Sequence, residues 1–202
     1  VIALLLVGAI VLVAVLLKHQ HKRNAAKSDA NAEPTEDPFL KAPAFDNPDN
    51  IQLGYFIDIA GYDHAVRGKL ELSEDGYSWK EFWLKGSAGK VWLSVEHVQD
   101  RTEVVQWTEI PLGKLKPGPD EIAHNGTKYL LVETGKANYR ATGSTDLPEN
   151  GTVKYYDYKD SSGNYLLSFE RFNGGEWEVA EGFELLEGMY SIFPGASRQS
   201  SK

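Results

Sequence analysis

The residues with the most chemical content in this sequence occur in two copies. Leu93-Ser94-Val95-Glu96 and Leu167-Ser168-Phe169-Glu170 each place a hydroxyl two positions before a carboxylate. Side chains alternate between the faces of an extended strand. Ser94 with Glu96, and Ser168 with Glu170, therefore project together, while Leu93, Val95, Leu167 and Phe169 project to the opposite side and fill a core. Carboxylates gathered in one pocket suit acid–base work or cation binding, whereas the same groups on a solvated sheet face do neither. A solvated face is the reading the pattern favours. A second set is aromatic: Tyr77, Trp79 and Trp83 share one face of a strand by parity, with Phe82 and Leu84 on the other. That pattern fits burial on both sides or an exposed strip for stacking. Ser94, Glu96, Ser168, Glu170, Trp79 and Trp83 are the candidate binding residues.

Other chemistry fails on spacing. In Gly86-Ser-Ala-Gly89-Lys90, Leu84 stands where a phosphate-binding loop needs its first Gly, and Val91 where Ser or Thr would hold magnesium, so a hairpin loop is the better reading. No Gly-x-Ser-x-Gly elbow occurs. His64, His97 and His124 lack paired-ligand spacing, and the absence of Cys excludes thiolate metal sites, thiol nucleophiles and disulfides. No catalytic residue, cofactor site or metal ligand is assigned. Asn125-Gly-Thr127 and Asn150-Gly-Thr152 satisfy the glycosylation sequon, but Asn-Gly is also a hairpin-turn dipeptide, which accounts for both.

These residues need strands to position them. From Ile51 the sequence runs in short segments rich in Val, Ile, Tyr, Trp and Phe, punctuated by Gly, Asn and Asp, and nothing there sustains a helical period. Strands are predicted over 51–59, 64–72, 77–84, 90–98 and 103–110, then over 127–133, 138–143, 152–158, 165–172, 177–180 and 183–192. A Pro- and Gly-rich link, Pro111 to Asn125, separates the two runs. Gly68 to Gly76 aligns with Gly143 to Gly151 at an offset of 75, and Leu93 with Leu167 at 74 (143 minus 68, and 167 minus 93). Two blocks in nearly one register indicate an internal duplication. The predicted fold is mainly β: a duplicated antiparallel domain over 51–194, sandwich or barrel-like, with halves at about 51–111 and 125–194. Residues 195–202 read as a flexible tail.

Ahead of this domain the composition changes. Val1 to Leu17 is an uninterrupted apolar run, followed by a stem, Lys18 to Lys27, carrying four positive charges and no negative one. A helix of that length spans about 25 Å at ~1.5 Å per residue, close to a bilayer core. Basic residues flank transmembrane helices on the cytoplasmic side. The expectation is a single transmembrane helix at 1–17 in the inner or plasma membrane, with the N-terminus outside and the C-terminal domain cytoplasmic. A cleaved signal peptide places its basic region before the apolar core instead. Residues 18–50 form a basic stem and linker in which Pro34, Pro38, Pro43 and Pro48 oppose regular structure. The formal charge of -8 becomes -12 from Ser28 onward (17 basic minus 29 acidic), which argues against nucleic acid as a partner.

Val66-Arg67-Gly68, Glu74-Asp75-Gly76-Tyr77-Ser78-Trp79-Lys80-Glu81-Phe82 and Trp92-Leu93-Ser94-Val95-Glu96 together resemble the bacterial toastrack family, a domain of unknown function. The second half, with Tyr155, Tyr156 and Leu167 to Glu170, is similar to the remainder of that domain. The resemblance covers about Ile51 to Pro194. It implies a β-rich fold and an association with envelope-stress systems of the phage-shock-protein-A type and with polyamine-synthase-like genes, and it implies no catalytic residues. The resulting expectation is a membrane-anchored interaction or adaptor module that binds other membrane-associated proteins. Two alternatives stay open: an extracytoplasmic ligand- or carbohydrate-binding module stacking on Trp and Tyr, and an enzyme or metal protein built on the Ser-x-Glu positions. Convergence of Glu96 and Glu170 in one pocket is the feature that would favour the last.

Overall fold

A computed structural model describes residues 47–194 apart from 87 and 88. Eleven strands follow a 3-10 turn at Pro48–Asn50: β1 (Phe56–Ile59), β2 (Tyr62–Glu74), β3 (Tyr77–Gly86), β4 (Gly89–Val98), β5 (Arg101–Ile110), β6 (Glu121–His124), β7 (Thr127–Gly143), β8 (Asn150–Asp160), β9 (Tyr165–Phe172), β10 (Glu178–Glu184) and β11 (Tyr190–Phe193). Eight of them close into a barrel in the order β2-β3-β4-β5-β10-β9-β8-β7, with β7 pairing back onto β2. Two four-strand meanders, β2 to β5 and β7 to β10, thus meet at two antiparallel seams, β5–β10 and β2–β7. The duplicated Gly68 and Gly143 face each other across the second seam.

Strands β2 and β7 are longer than the ring needs. The first part of β2 pairs with β1, which carries β11, and the first part of β7 pairs with β6. Each long strand changes partner beside an irregularity in its register, between Val66 and Gly68 in β2 and between Leu131 and Glu133 in β7. An extra residue there bends and twists the strand, which lets one strand serve two neighbours. Of the predicted turn dipeptides, Asp75-Gly76 (φ 49° and 86°) and Asn125-Gly126 (φ 49° and 80°) take the left-handed conformations expected of tight hairpins. Asn150-Gly151 does not. It opens β8, and a Cβ on Gly151 would collide with the Tyr139 ring and the Asn173 amide, so close packing requires the glycine rather than a turn.

Alternation along the strands separates two surfaces. On the outer face of the first half, Phe82, Leu84, Leu93 and Val95 pack against Ile51, Ile57, Leu185 and Ile192. On the outer face of the second, Leu167, Phe169 and Val179 pack with Ile122, Tyr129 and Tyr158. The third cluster, formed by Leu70, Leu72, Tyr139, Ala141, Val153 and Tyr155 with Trp79 and Trp92, lies inside the ring. Trp79 of β3 meets Tyr155 of β8 edge-on at 6.0 Å although two strands separate them in the sheet, a contact possible only across the barrel.

The transmembrane part of the predicted fold is corrected. The described residues contain strands and one 3-10 turn, and no helix among them is long and apolar enough to cross a membrane. The single-pass inner or plasma membrane location and the membrane partner derived from such a helix find no support. The run 1–17, the stem and linker up to 46, and the tail 195–202 lie outside the described residues.

Candidate functional site

The two Ser-x-Glu motifs do sit on strands with their leucines buried: Leu93, Leu167 and Phe169 are wholly inaccessible. Their polar side chains do not face bulk solvent as the pattern favours. In a closed barrel the surface opposite the packed exterior is the interior. Ser94 lies across from Glu81 of β3, and Ser168 across from Asp157 of β8. Glu81 and Asp157 are 76 positions apart (157 minus 81), so the duplication has placed one acid–serine pair in each half. Trp107 Nε1 donates to Ser94 Oγ at 2.9 Å, and Trp79 Nε1 donates to Glu81 Oε1 at 3.1 Å. The Asp157 carboxylate accepts from the Ser168 hydroxyl.

Trp83, Trp92 and Trp107 occupy successive opposed positions on β3, β4 and β5. The next strand presents Gly182 opposite Trp107, and a Cβ there would sit 2.5 Å from the indole. The glycine therefore lets the ring lie flat against the β10 backbone. The candidates Trp79 and Trp83 belong to this interior surface and are half-buried.

The carboxyls of Glu81, Asp157 and Glu170 are enclosed by protein, yet each residue keeps partial contact with water-sized space. Burial disfavours the charged form and raises proton affinity. It pushes Glu81 up to about 7, opposed by the Trp79 N–H and reinforced by the charge of Glu96. Asp157 also rises to about 7, mainly through burial, opposed by the Ser168 hydroxyl and reinforced by Glu133, Glu81 and Glu96. Glu170 is held well above the usual carboxylate range by burial, then by Glu81, Asp157 and Glu178. Glu96 is raised by burial and by Glu133 and Glu103, with Lys159 opposing. Glu96 and Glu170 thus face one interior at two levels, each with its own acidic neighbours, and do not form a single carboxylate pair.

Glu81, Asp157 and Trp107 escaped sequence reasoning. Glu81 shares strand parity with Trp79 and Trp83, and Asp157 is its equivalent in the second copy, so extending the duplicated register by one strand finds both. Among the described residues no group of three or more His, Asp or Glu is arranged to hold a metal ion. A separate groove of about 400 Å³ is lined by residues including Asp49, Glu71, Ser73, Lys80 and His97. There Asp49 binds His97 Nε2 at 2.8 Å and accepts from Lys80 Nζ through its backbone carbonyl at 3.3 Å.

Comparison with known proteins places this architecture. A model of a domain of unknown function, DUF4178, matches residues 52–187. The chain belongs to the DUF4178 family. That match bears out the domain-of-unknown-function part of the resemblance and carries neither the toastrack name nor an envelope-stress role. The chain is similar to uncharacterized proteins of Mycobacterium bovis and of two strains of Mycobacterium tuberculosis, each 31% identical over 197 residues, covering 94% of this chain and 92% of the relative. No solved structure matches.

Proposed function

We propose that the DUF4178 domain is a small-ligand-binding barrel whose site is its interior. One observation carries this reading: each half sends an acid, a serine and aromatic rings inward, in paired positions, where packing alone calls for apolar side chains. Burying polar groups costs free energy unless they gain partners, so a barrel serving only as a scaffold has no use for them. Eight strands enclose a space that side chains just fill or that takes one small ligand. Native mass spectrometry of the protein purified from its own cells, together with a thermal-shift screen of charged and neutral metabolites, tests the reading. A retained or stabilising small molecule whose effect is lost in Trp107→Leu supports it. A protein that carries nothing and responds to no compound class opposes it.

A second reading, a protein-interaction module, is favoured by the antiparallel pair of β1 and β11, whose outer edge carries no further strand among the described residues. Phe56 and Phe193 face each other there, 46% and 50% exposed, beside the outer edge of β11. An open strand edge flanked by aromatics is a template for strand addition. Replacing both with Ser should leave the melting temperature in place and abolish cross-linking to any partner. Unchanged cross-linking counts against it.

A further inference from the structure

The groove of about 400 Å³ beside the β2–β3 hairpin carries an excess of positive charge that nothing in the barrel interior uses. Strand register builds it. Glu71 of β2 lies directly opposite Lys80 of β3 on one side and Arg140 of β7 on the other, and Ser73 of β2 lies opposite Ser78 of β3. Directly opposed residues share a face, so Lys80, Arg140, Ser73 and Ser78 all project on the side of Glu71. Asp49 and His97 complete the polar lining, and Val95 supplies an apolar wall.

The carboxylates of this groove are already engaged. Glu71 binds Lys69 at 2.9 Å, and Asp49 binds His97 at 2.8 Å. Lys80 reaches only the Asp49 backbone carbonyl, at 3.3 Å. Arg140 and the Ser73 and Ser78 hydroxyls have no hydrogen-bond or ion-pair partner among the described residues. Three cations and His97 thus stand against two carboxylates, in a chain whose net charge is -8. The Glu71 carboxyl registers them. The Lys69 hydrogen bond, opposed by burial, and then the charges of Lys69, Arg140 and Lys80 hold it below the usual carboxylate range.

We propose that this groove binds a small organic oxyanion, a phosphoryl or carboxyl group on a compact body, with Lys80 and Arg140 meeting its charge and the Ser73 and Ser78 hydroxyls donating to its oxygens. Neighbouring strands lie about 4.8 Å apart, so cations one strand to either side of Glu71 start about 10 Å apart and reach a common anion with their long side chains. Lys69 precedes Glu71 and Ser73 follows it, so the ion pair holds the Glu71 carboxylate on the side away from the serines. The groove volume falls within the range of about 300 to 1,000 Å³ typical of small-molecule sites, which leaves room for an organic body beside the anionic group. A metal ion finds no group of three ligands among the described residues, and a neutral molecule leaves both unpaired cations unmet. A long polyanion would lie against the acidic remainder of the chain.

The test is NMR and calorimetric titration of the full chain with phenyl phosphate, phenylacetate and inorganic phosphate, benzylamine serving as the cationic control. Expected are saturable binding of an aryl anion, amide shifts at Ser73, Ser78 and His97, and affinity that falls with added salt. Lys80→Gln and Arg140→Gln should each weaken binding about tenfold or more, since each removes a charge-assisted hydrogen bond, while Lys80→Arg retains it. The tighter of the two aryl anions tells whether the groove is built for phosphoryl or carboxyl oxygens. Inorganic phosphate binding as tightly as either overturns the organic body. Benzylamine binding in their place, anion binding unchanged in both Gln variants, shifts confined to interior residues, or failure of every anion to bind overturns the site. Each of these results leaves the reading of the barrel interior to its own test.

Discussion

The enclosed carboxyls predict an unusual pH dependence of stability. Burial pushes the Glu81 carboxyl up to about 7 in the folded protein, against an ordinary glutamate value of 4.5. Between those values the folded chain holds a proton that the unfolded chain has released, so stability falls as pH rises. The contribution is complete below about pH 4.5 and gone above about pH 7. Evaluated between pH 5 and pH 8, this shift amounts to a loss on the order of 2 to 3 kcal/mol from Glu81 alone. Glu81→Gln keeps the shape, remains neutral at every pH and keeps an amide oxygen for the Trp79 N–H. The variant should therefore lose on the order of 2 to 3 kcal/mol less than the wild type between pH 5 and pH 8. Urea unfolding at the two pH values, followed by Trp fluorescence, measures the double difference and cancels titrations common to both proteins. Equal pH dependence in wild type and Glu81→Gln, or a wild type that gains stability toward pH 8 while the variant does not, would refute the enclosed-carboxyl argument.

Other perturbations separate the outer cores from the interior. Phe169→Ala and Leu93→Ala, both at inaccessible sites in different outer clusters, should each cost about 2 to 5 kcal/mol in urea unfolding through lost burial and cavity formation. Gly182→Ala forces a methyl into the Trp107 indole and should cost about 1 to 3 kcal/mol, with a shift in Trp emission as the ring moves. Tyr155→Phe removes a hydroxyl that donates to Glu74 Oε2 at 2.6 Å and should cost about 1.5 to 3 kcal/mol at neutral pH, measured by thermal unfolding. Separate expression of residues 51–111 and 125–194 should give chains without cooperative melting in calorimetry, because each lacks both seams and the cross-barrel contacts.

Strand parity and turn chemistry carried much of the fold. Residues 165–172 were predicted to the residue as β9, and 77–84 and 90–98 lie within β3 and β4. Short-range alternation cannot show that 127–133 and 138–143 are one strand, since the interruption at Thr134 to Ala137 reflects a change of face-packing rather than a turn. Nor does it reveal β6 inside the Pro-rich link, because four residues paired to one edge leave little periodicity. The site was legible as to side and not as to surroundings. Parity correctly separated Ser94 and Glu96 from Leu93 and Val95, but which face is interior depends on ring closure through β2–β7, a long-range pairing that no local pattern encodes.

That closure also explains why an acidic interior persists in a protein of net charge -8. A single meander has two open faces, and on such a sheet Glu81, Ser94 and Glu96 would be ordinary solvated residues. Joining two copies edge to edge encloses that face, so the carboxylates of one half meet those of the other. The apolar faces then turn outward, and short additions cover them: β1, β11 and Leu185 over the first half, β6 with Leu112 and Leu115 over the second. The architecture covers the outward apolar faces with added elements and keeps Glu81, Ser94, Asp157 and Ser168 within, the arrangement that the proposed binding barrel requires.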